Sequence, residues 1–420
     1  LVDKKGRFVN AVGEKLKEKV AEYSIKTHRQ LSEDDFFVKN YNGDDESSVN
    51  YKSTDVIISI ILKEENKAFK VEKYEHDYPH CWRTDKPILY YPLDAWFIKT
   101  TAVKERMIEL NKTINWKPES TGTGRFGNWL ENLVDWNLSR SRYWGIPLPI
   151  WKSTKHGIGS EIGLSKAKCI QSIEELRRDA FLITDKYTTS SGKRMSGALL
   201  GAFLGVSNDT DGSIKKWENL IKEGKIVPLE NLLPDKIDLH RPFVDYVIFF
   251  EEGDVFYREP DLIDVWFDSG AMPVAQLHYP FENQALFVQN FPADFIAEGV
   301  DQTRGWFFTL HAIATMVFGK VAYKNVVSNG LVLDKNGVKM SKRLGNVVDP
   351  FKVLPEFGAD TVRWYMVGNA APWDNLKFNE AHMKESQQSY FGTLFNTYFF
   401  FAQYANVDGF DFSQPRIPVA

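Results

Sequence analysis

The sequence has few cysteines and no long apolar run, and each of these absences excludes a class of protein. Cys81 and Cys169 are the two cysteines among 420 residues. They are too few for a disulfide-stabilised scaffold and are typical of a reducing cytoplasm. The apolar runs at 247–250 and 399–402 are far shorter than the roughly 18 residues that a membrane-spanning helix needs. No signal peptide is visible, so we predict a cytoplasmic protein that does not associate with a membrane.

The chain also lacks an excess of charge of either sign. It has 52 Lys and Arg against 56 Asp and Glu, a formal net charge of -4. This balance excludes a supercharged nucleic-acid coat, although a basic face on an otherwise neutral protein can still bind nucleic acid. The hydrophobic share of 43% excludes a disordered chain. The length predicts about two to four domains.

What the chain does have is aromatic side chains, including 30 Phe and 12 Trp, which predict deep apolar pockets. It begins Leu1-Val2-Asp3 without an initiator Met and ends at Ala420, just after a helical segment has started. We expect it to be an internal piece of a larger protein.

The first part of the chain has the pattern of an incomplete α+β module. Residues 1–75 combine short strand-like segments, such as 55–58, with a Lys/Glu-rich helical stretch at 11–23. A proline-containing link around 76–83 leads to an apolar strand expected at 88–91. Helical periodicity then follows at two places: 103–110 and 128–137.

Residues 151 to about 250 have the composition of an insertion, with a helix expected at 173–178 and a loop at 208–212. From residue 261 the pattern becomes strand, polar loop and helix, which is typical of a doubly wound α/β domain. Its predicted elements are a strand at 295–297, a helix at 304–318 and strands at 326–327 and 331–333.

The last segment, 379–404, places large apolar side chains at helical spacing. They are Phe391, Leu394, Phe395, Tyr398 and Phe399. A helix buried in a bundle is the interpretation that this pattern favours.

The most informative local feature is a basic loop between Gly337 and Gly345. It holds three cations and a hydroxyl: Lys339, Lys342, Arg343 and Ser341. Such a loop can follow an anion closely and neutralise the charge that develops on a triphosphate. Charge alone favours a solvated basic turn, so the order of the residues has to decide between the two.

That order, Lys339-Met340-Ser341-Lys342-Arg343, resembles the signature loop of class I aminoacyl-tRNA synthetases, which likewise follows a strand. Four further stretches resemble blocks of the isoleucyl-tRNA synthetases, in the family's order. They are Tyr78-Pro79-His80-Cys81-Trp82-Arg83, Ser139-Arg140-Ser141-Arg142-Tyr143-Trp144-Gly145, Asp264-Val265-Trp266-Phe267-Asp268-Ser269-Gly270 and Glu298-Gly299-Val300-Asp301-Gln302-Thr303-Arg304-Gly305-Trp306-Phe307.

The resemblance implies an α/β fold. It would be the second half of a Rossmann-type catalytic domain with inserted α+β segments, followed by the start of an all-α anticodon-binding bundle. The implied domains are the tail of an editing domain (1–75), the return into the catalytic domain (76–150), an inserted connective segment (151–255), the second catalytic half with the basic loop (256–350), a stem-contact junction (351–378) and the start of the helical domain (379–420).

The resemblance also implies the site residues. The residues that match Glu298, Gly299, Asp301 and Gln302 contact the aminoacyl-adenylate in the family, and those that match Trp266 and Trp306 form walls of the isoleucine pocket. Lys342 matches the lysine credited with binding ATP phosphates, and Lys339, Ser341 and Arg343 would assist it. Without the resemblance, the more common interpretation of each Trp would be a side chain packed in the core. Glu298 would then be a solvated residue at the end of a strand.

The implied reaction is the ATP-dependent activation of L-isoleucine, followed by its transfer to the isoleucine-accepting tRNA. ATP would arrive with Mg²⁺, and relatives usually act as monomers. Catalysis would rest on positioning and charge stabilisation, without a covalent protein nucleophile. A pocket separates isoleucine from valine only modestly, because the two differ by one methylene. The family therefore carries a separate editing domain.

The chain departs from the family's pattern in two places. None of its eight histidines lies in a His-Ile-Gly-His motif, so half of the ATP site is missing and we expect the chain alone to be inactive. Thr84 stands where many relatives have the second cysteine of a zinc-binding Cys-Trp-Arg-Cys, which leaves the metal site incomplete. His76 and His80 lie close by, but a structural role is the better interpretation, so no tightly bound metal is predicted.

Two alternatives remain open. A valyl or leucyl enzyme is the first, and Trp306 within Arg304-Gly305-Trp306-Phe307 argues against it. The second is a synthetase-like RNA-binding module that has lost catalysis, for which a missing His-Ile-Gly-His motif is the expected sign.

Overall fold

The computed structural model describes residues 18–19, 21–22, 54–72, 74–81, 88–153, 167–205, 210–233, 236–342 and 344–413. Predictions that concern Arg343 or residues 82–84 lie outside the described residues. The chain divides into two units, Leu1–Asp94 and Ala95–Ala420, and each is described by itself. The six predicted domain ranges stay predictions.

The first unit contains a helix where the sequence predicted a strand. Helix α1 spans Thr54–Glu64, so the strand expected at 55–58 is wrong. A short run of branched apolar residues has no period that separates helix from strand. Here the apolar run continues to Leu62, which is long enough to form a helix of three turns.

The strand predicted at 88–91 is also wrong. The backbone groups of Ile88 bond within the loop instead of to a neighbouring strand. Its N–H donates to the carbonyl of Pro79 at 3.1 Å, and its carbonyl accepts the Tyr78 hydroxyl at 2.7 Å. The helix predicted at 11–23 lies mostly outside the described residues, and the residues described there are helical.

The second unit contains all of the strands that the structure describes. They are β1 Phe97–Ile98, β2 Asn115–Lys117, β3 Trp136–Asn137, β4 Ser139–Arg140, β5 Ile150–Ser153, β6 Ala167–Cys169, β7 Phe181–Ile183, β8 Ile226–Pro228, β9 Val247–Glu251, β10 Asp254–Arg258, β11 Leu262–Ile263, β12 Ala293–Gly299, β13 Tyr323–Asn329, β14 Val332–Leu333 and β15 Leu376–Lys377.

The α-helices of this unit follow the same chain order. They are α2 Lys104–Asn111, α3 Gly127–Glu131, α4 Ile173–Asp179, α5 Gly197–Gly205, α6 Thr210–Lys222, α7 Val265–Gly270, α8 Met272–Ala275, α9 Gln284–Asn290, α10 Trp306–Phe318, α11 Pro350–Phe357, α12 Ala359–Gly368, α13 Glu380–Ser386 and α14 Thr393–Val407. Two π-helical stretches, Thr121–Phe126 and Gln387–Gly392, precede α3 and α14.

A parallel sheet carries the part of the fold that matters for the site. Its strand order is β12-β13-β2, and both pairings are parallel. Helix α10 follows β12 and is apolar nearly throughout, as expected for a helix that a sheet covers on one side and other helices cover elsewhere. The strand at 295–297, the helix at 304–318 and the strand at 326–327 were predicted correctly. The predicted α/β class is confirmed.

The core under this sheet is built from large side chains that are almost completely buried. They are Met107, Trp116, Phe126, Leu130, Phe307, Leu310, Tyr323 and Val326. Rings meet edge to face, as between Trp116 and Phe307, whose centroids are 5.7 Å apart.

The helix predicted at 128–137 is too long. Helix α3 ends at Glu131, and the chain then forms strand β3, in which Trp136 pairs with Ile98 of β1. Leu133 is buried but Val134 points into solvent. The helical pattern fails because Trp136 pairs with β1 as a strand residue and its indole N–H donates to the carboxylate of Asp264 at 3.0 Å.

A six-stranded antiparallel sheet occupies residues 150–258, with the strand order β6-β5-β10-β9-β7-β8. Successive side chains along each strand point to opposite faces of the sheet. Phe249 therefore lies in the core on one face and Ile248 in the core on the other. The helix predicted at 173–178 is confirmed as α4. The loop predicted at 208–212 is partly wrong, because α6 begins at Thr210 and buries Trp217 and Leu220.

The two ends of this six-stranded region meet in a short ribbon. Strand β4 leads into the region and β11 follows it, and they pair antiparallel, with Ser139 opposite Ile263 and Arg140 opposite Leu262. The chain therefore leaves and re-enters the rest of the fold at one place.

The last helices gather around a small core formed by Val353, Phe357, Tyr365, Leu376, Phe378 and Met383. Residues 379–404 are largely helical, as predicted, but the predicted burial is wrong. In α14 the side chains of Leu394, Phe395, Tyr398 and Phe399 are exposed, because no described element covers this face. Among the described residues, no helix combines the length and apolar character needed to cross a membrane.

Candidate functional site

The parallel strands β12 and β13 end side by side, and this shared edge begins the candidate site. Glu298 lies opposite Ser328 and Gly299 opposite Asn329. In open parallel sheets, ligands bind outside the carboxyl ends of the strands. Glu298 is exposed there, as a residue that meets a ligand must be. Ser328, which sequence reasoning missed, is buried, and within the described structure its hydroxyl has no hydrogen-bond partner.

The turn after β12 is organised by a glutamine side chain. Residues Val300–Arg304 form a 3-10 turn that leads into α10. The Gln302 side-chain oxygen accepts the backbone N–H of Trp306 at 3.0 Å, and its amide nitrogen donates to the Asp301 carboxylate at 3.3 Å. Gln302 therefore satisfies one of the free N–H groups at the start of α10. It also orients the exposed carboxylate of Asp301.

Two indoles flank this turn. The ring N–H of Trp306 donates to the carbonyl of Ser269 at 3.0 Å, which fixes the ring plane. The Trp266 ring lies against Gly305. A Cβ atom at Gly305 would come within 3.1 Å of the Trp266 ring and 2.7 Å of the Gln302 side-chain oxygen. Only glycine allows this close approach. Trp266, Gln302 and Trp306 therefore come together around Gly305.

Trp266 is positioned by a buried carboxylate that sequence reasoning did not single out. Asp264 caps helix α7 by accepting the backbone N–H of Trp266. It also accepts the indole N–H of Trp136 at 3.0 Å and the Arg140 guanidinium at 2.9 Å. An Asp just before an apolar helical run is the usual N-cap signal and could have identified it. Burial, assisted by the charge of Asp264, raises the pKa of neighbouring Asp268.

The basic loop, residues 337–345, is a second and separate group. Leu333 of β14 pairs with Lys339, and Asp334 accepts the backbone N–H groups of Asn336 and Val338 at 2.9 and 2.8 Å. The flanking Gly337 and Gly345 have φ angles of 85° and 65°, a backbone region that favours glycine.

The side chain of Asn346, a residue that the sequence analysis did not single out, closes this loop. Its oxygen accepts the N–H of Ser341 at 2.9 Å, and its amide nitrogen donates to the Asp334 carboxylate at 3.0 Å and the Lys339 carbonyl at 3.3 Å. The hydrogen bond from Asn346, assisted by the backbone donors, lowers the pKa of Asp334. These bonds hold the described residues of the loop in a turn.

The side chains of the two described lysines in this loop take no part in these bonds. Lys339 and Lys342 are exposed, and neither forms an ion pair with the part of the chain that the structure describes. The Ser341 hydroxyl instead accepts the N–H of Leu344 at 3.2 Å. Between the described residues of this loop and those around Trp306, no hydrogen bond or ion pair is present. The structure therefore brings together at α10 the residues predicted to contact the adenylate, and it places the described residues predicted to bind phosphates in a separate loop.

The expectation that the chain holds no tightly bound metal stays a prediction. Within the described residues, no group of three or more His, Cys, Asp or Glu side chains is placed to hold a metal ion. Residues 82–84, which include Thr84, lie outside them.

Comparisons with known proteins identify the family of the chain. The family model for tRNA synthetases class I (I, L, M and V) matches residues 14–192 and 216–379. The chain is 57% identical over 421 residues to the isoleucine–tRNA ligase of Cytophaga hutchinsonii, covering all of this chain and 33% of that protein. It is 57% identical over 387 residues to the Bacteroides fragilis protein of the same name, covering 91% and 31%.

A more distant isoleucine–tRNA ligase, from Thermus thermophilus, is 42% identical over 358 residues. This match covers 85% of this chain and 29% of the Thermus protein. The chain thus spans about a third of the length of these relatives. The resemblance to isoleucyl-tRNA synthetases inferred from the sequence is confirmed, and the chain belongs to the class I tRNA synthetase family.

Proposed function

We propose that this chain is the part of an isoleucine–tRNA ligase that binds the aminoacyl-adenylate. The full protein would activate L-isoleucine with ATP and transfer it to the isoleucine-accepting tRNA. Relatives with that name, at 57% identity across the whole chain, favour isoleucine over valine or leucine. ATP would enter with Mg²⁺ as the substrate complex. We expect a cytoplasmic monomer.

The observation that carries the proposal is the convergence at the start of α10. An exposed carboxylate at a strand end, Glu298, stands beside a turn in which Gln302 orients Asp301. The indole of Trp306 is fixed by its bond to Ser269. Carboxylates suit the α-ammonium group of an amino acid, and flat apolar walls suit its aliphatic side chain.

The first step joins the amino acid to adenosine monophosphate. Glu298 and Asp301 hold the ammonium group and the indoles of Trp266 and Trp306 enclose the side chain, which leaves the carboxylate free. The isoleucine carboxylate oxygen attacks the α-phosphorus of ATP, and the bond to pyrophosphate breaks. Lys339, Lys342 and Arg343 neutralise the negative charge that develops on the phosphates.

The second step transfers the acyl group. A terminal hydroxyl of the tRNA attacks the isoleucyl carbonyl carbon, and the bond to the phosphate oxygen breaks. Adenosine monophosphate leaves, and its phosphate takes up the proton that the hydroxyl loses. No protein nucleophile takes part, so these residues act by holding reactants in line and by balancing charge. Editing of misactivated valine would take place elsewhere in the full protein, and without a His-Ile-Gly-His motif this chain alone would be inactive.

Isoleucine-dependent exchange of labelled pyrophosphate into ATP tests the proposal. We expect exchange from a protein that carries this chain within the full length of its relatives, and none from the 420-residue chain alone. Exchange that depends on valine or leucine instead would contradict the isoleucine assignment. A full-length protein that is inactive with all three amino acids would support the non-catalytic module.

Single substitutions in the full-length protein test the residues. Glu298→Ala should abolish exchange, and Lys342→Ala should slow it by about a hundredfold or more. Trp266→Ala should raise KM for isoleucine more than KM for ATP, since the indole faces the amino acid. Trp364→Ala is the matched control, because Trp364 is 41% exposed against 40% for Trp266. Equal losses for both ligands in Trp266→Ala would contradict its place in the pocket.

A further inference from the structure

A glycine-rich π-helical stretch, Thr121–Phe126, contains none of the residues predicted for the site. Such turns are rare and occur frequently at functional sites. Asn111 holds this one in place, because its amide nitrogen donates to the carbonyl of Gly122 at 3.0 Å and its amide oxygen accepts the indole N–H of Trp116 at 2.9 Å. A Cβ atom at Gly122 would come within 2.3 Å of the Trp116 ring. The stretch is thereby fixed against the core under the parallel sheet.

This stretch brings Arg125 to the turn of the candidate site. The Nε–H of Arg125 donates to the hydroxyl of Thr303 at 2.9 Å. Thr303 is fully buried, and its hydroxyl donates in turn to the carbonyl of Val300 at 2.8 Å. The bond from the arginine therefore supports a hydroxyl that joins the first and the fourth residue of the turn Val300–Arg304.

A second contact between the same two elements runs in the opposite direction. The Arg304 guanidinium lies over the ring of Trp129, 5.4 Å from its centroid, a distance at which a cation and an indole attract each other. Trp129 follows Arg125 by four residues and meets Phe308 of α10 edge to face at 5.9 Å. Each element thus contributes an arginine that contacts the other, and the turn is held at Thr303 and at Arg304.

The residues predicted to meet the ligand lie inside this support. Asp301 and Gln302 stand between the two residues that the Thr303 hydroxyl joins. Within the described residues Arg125 forms no ion pair, so no carboxylate competes with Thr303 for its guanidinium. A charged donor also forms a stronger hydrogen bond than a neutral one. Without this bond the turn would lose one of its fixed points, and the Asp301 carboxylate would lose its fixed place.

We infer that Arg125 is a positioning residue of the adenylate site, which acts through Thr303 to hold the turn that carries Asp301 and Gln302. The inference rests on the proposed function and deepens it. Asp301 is proposed to hold the ammonium group of isoleucine, whereas the phosphates of ATP are assigned to the basic loop. Loss of Arg125 should therefore weaken the use of the amino acid and not of ATP.

Isoleucine-dependent pyrophosphate exchange by the full-length protein tests the inference. Arg125→Met keeps the apolar stem of the side chain and removes the donor. It should raise KM for isoleucine by about tenfold, at the lower end of the range for a lost hydrogen bond from a charged donor, because Arg125 is exposed. KM for ATP should stay unchanged.

Arg106→Met is the matched control. Arg106 is likewise exposed and likewise supports α10, because it donates to the carbonyl of Gly319, directly after the helix, at 3.1 Å. That carbonyl lies at the opposite end of α10 from the turn. The control variant should leave KM unchanged for both isoleucine and ATP.

The hydroxyl of Thr303 provides a second test. Thr303→Val should raise KM for isoleucine at least as much as Arg125→Met does. Thr303→Ser should keep most of the affinity, because serine retains the hydroxyl. The double variant, Arg125→Met with Thr303→Val, should be no worse than Thr303→Val alone, since both changes remove the same bond.

An unchanged KM for isoleucine in Arg125→Met would overturn the inference, and so would equal rises in KM for isoleucine and ATP. Losses that multiply in the double variant would also overturn it, because Arg125 would then act without Thr303. If Arg125→Met does not fold, equal KM values for isoleucine in Thr303→Val and Thr303→Ser contradict the inference. The proposed function fails in a different way, through absent exchange in the unsubstituted protein.

Discussion

Helices α10 and α14 are both long and both rich in aromatic residues, but only one of them is buried. In α10, nine residues from Phe307 to Thr315 are buried, whereas no residue of α14 is. The parallel sheet and helices α2 and α7 surround α10. The rings of α14 instead pair with one another, as Phe395 does with Phe399 at 6.3 Å. Apolar composition therefore predicts a helix, whereas burial depends on the elements that pack against it.

The largest expected difference between the two helices is in the cost of removing a ring. Phe307→Ala should lower the free energy of unfolding by about 3–5 kcal/mol, because it opens a cavity in the core. Phe395→Ala, at a position 66% exposed, should change it by no more than about 0.5 kcal/mol. Urea denaturation of both variants measures this. Similar losses would mean that α14 is covered in solution.

The second difference is a pH dependence that only the buried helix can have. His311 of α10 is fully buried, with Nε2 2.9 Å from the Met107 carbonyl, and burial lowers its pKa from 6.5 to about 4. Below pH 6.5 this histidine binds a proton in the unfolded chain, whereas in the folded chain it stays neutral until the pH approaches 4. Stability is therefore lost as the pH falls from 6.5 towards 4.

This histidine should reduce the free energy of unfolding by about 2 kcal/mol between pH 7 and pH 5. Urea midpoints at the two pH values measure the loss, and His311→Gln should remove that part of the dependence. His382→Gln, on the exposed surface of α13, should leave it in place. An unchanged slope in His311→Gln would contradict the buried neutral imidazole.

A smaller effect is expected from a buried hydroxyl. Thr315 of α10 is buried, and its Oγ1 has no hydrogen-bond partner among the described residues. Thr315→Val should stabilise the protein by about 1 kcal/mol, because it removes an unsatisfied polar atom with little change of shape. The matching change on α14, Thr397→Val, should stay within about 0.5 kcal/mol. Destabilisation by Thr315→Val would indicate a hydrogen bond or ordered water at that hydroxyl.

A small effect on stability is expected even from a double change on the open face of α14. A double change, Phe399→Gln with Tyr398→Gln, should alter the free energy of unfolding by less than about 1 kcal/mol. It should instead reduce the binding of a dye such as ANS, which reports exposed apolar surface. Undiminished dye binding would place the exposed surface elsewhere in the chain.

Much of the site could be predicted because its parts lie close together in the sequence. Glu298, Asp301, Gln302 and Trp306 fall within nine residues of chain, at a strand end followed by a helix start. The order of apolar strand, polar loop and apolar helix predicted both elements. The basic loop was likewise visible as one short motif.

The supports of the site could not be predicted in the same way, because their partners are far apart in sequence. Asp264 is held by Trp136 and Arg140, more than a hundred residues away. A contact between residues so far apart in the chain leaves no periodic pattern in the sequence. The same limit explains the burial predicted for Phe395, since burial depends on neighbours that local patterns do not specify. The strand predicted at 55–58 failed for a different reason, because a short apolar run does not separate helix from strand.

The pairing of β4 with β11 has a consequence for how this fold can change. Because β4 and β11 pair just before and just after residues 150–258, the chain enters and leaves the described part of the six-stranded region through this two-stranded stem. The entropy of closing such a stem grows only slowly with the length of chain it encloses. The six-stranded region can therefore be lengthened, trimmed or exchanged over evolution, or replaced by an engineered module, while the ribbon keeps Asp264 and Trp266 in place.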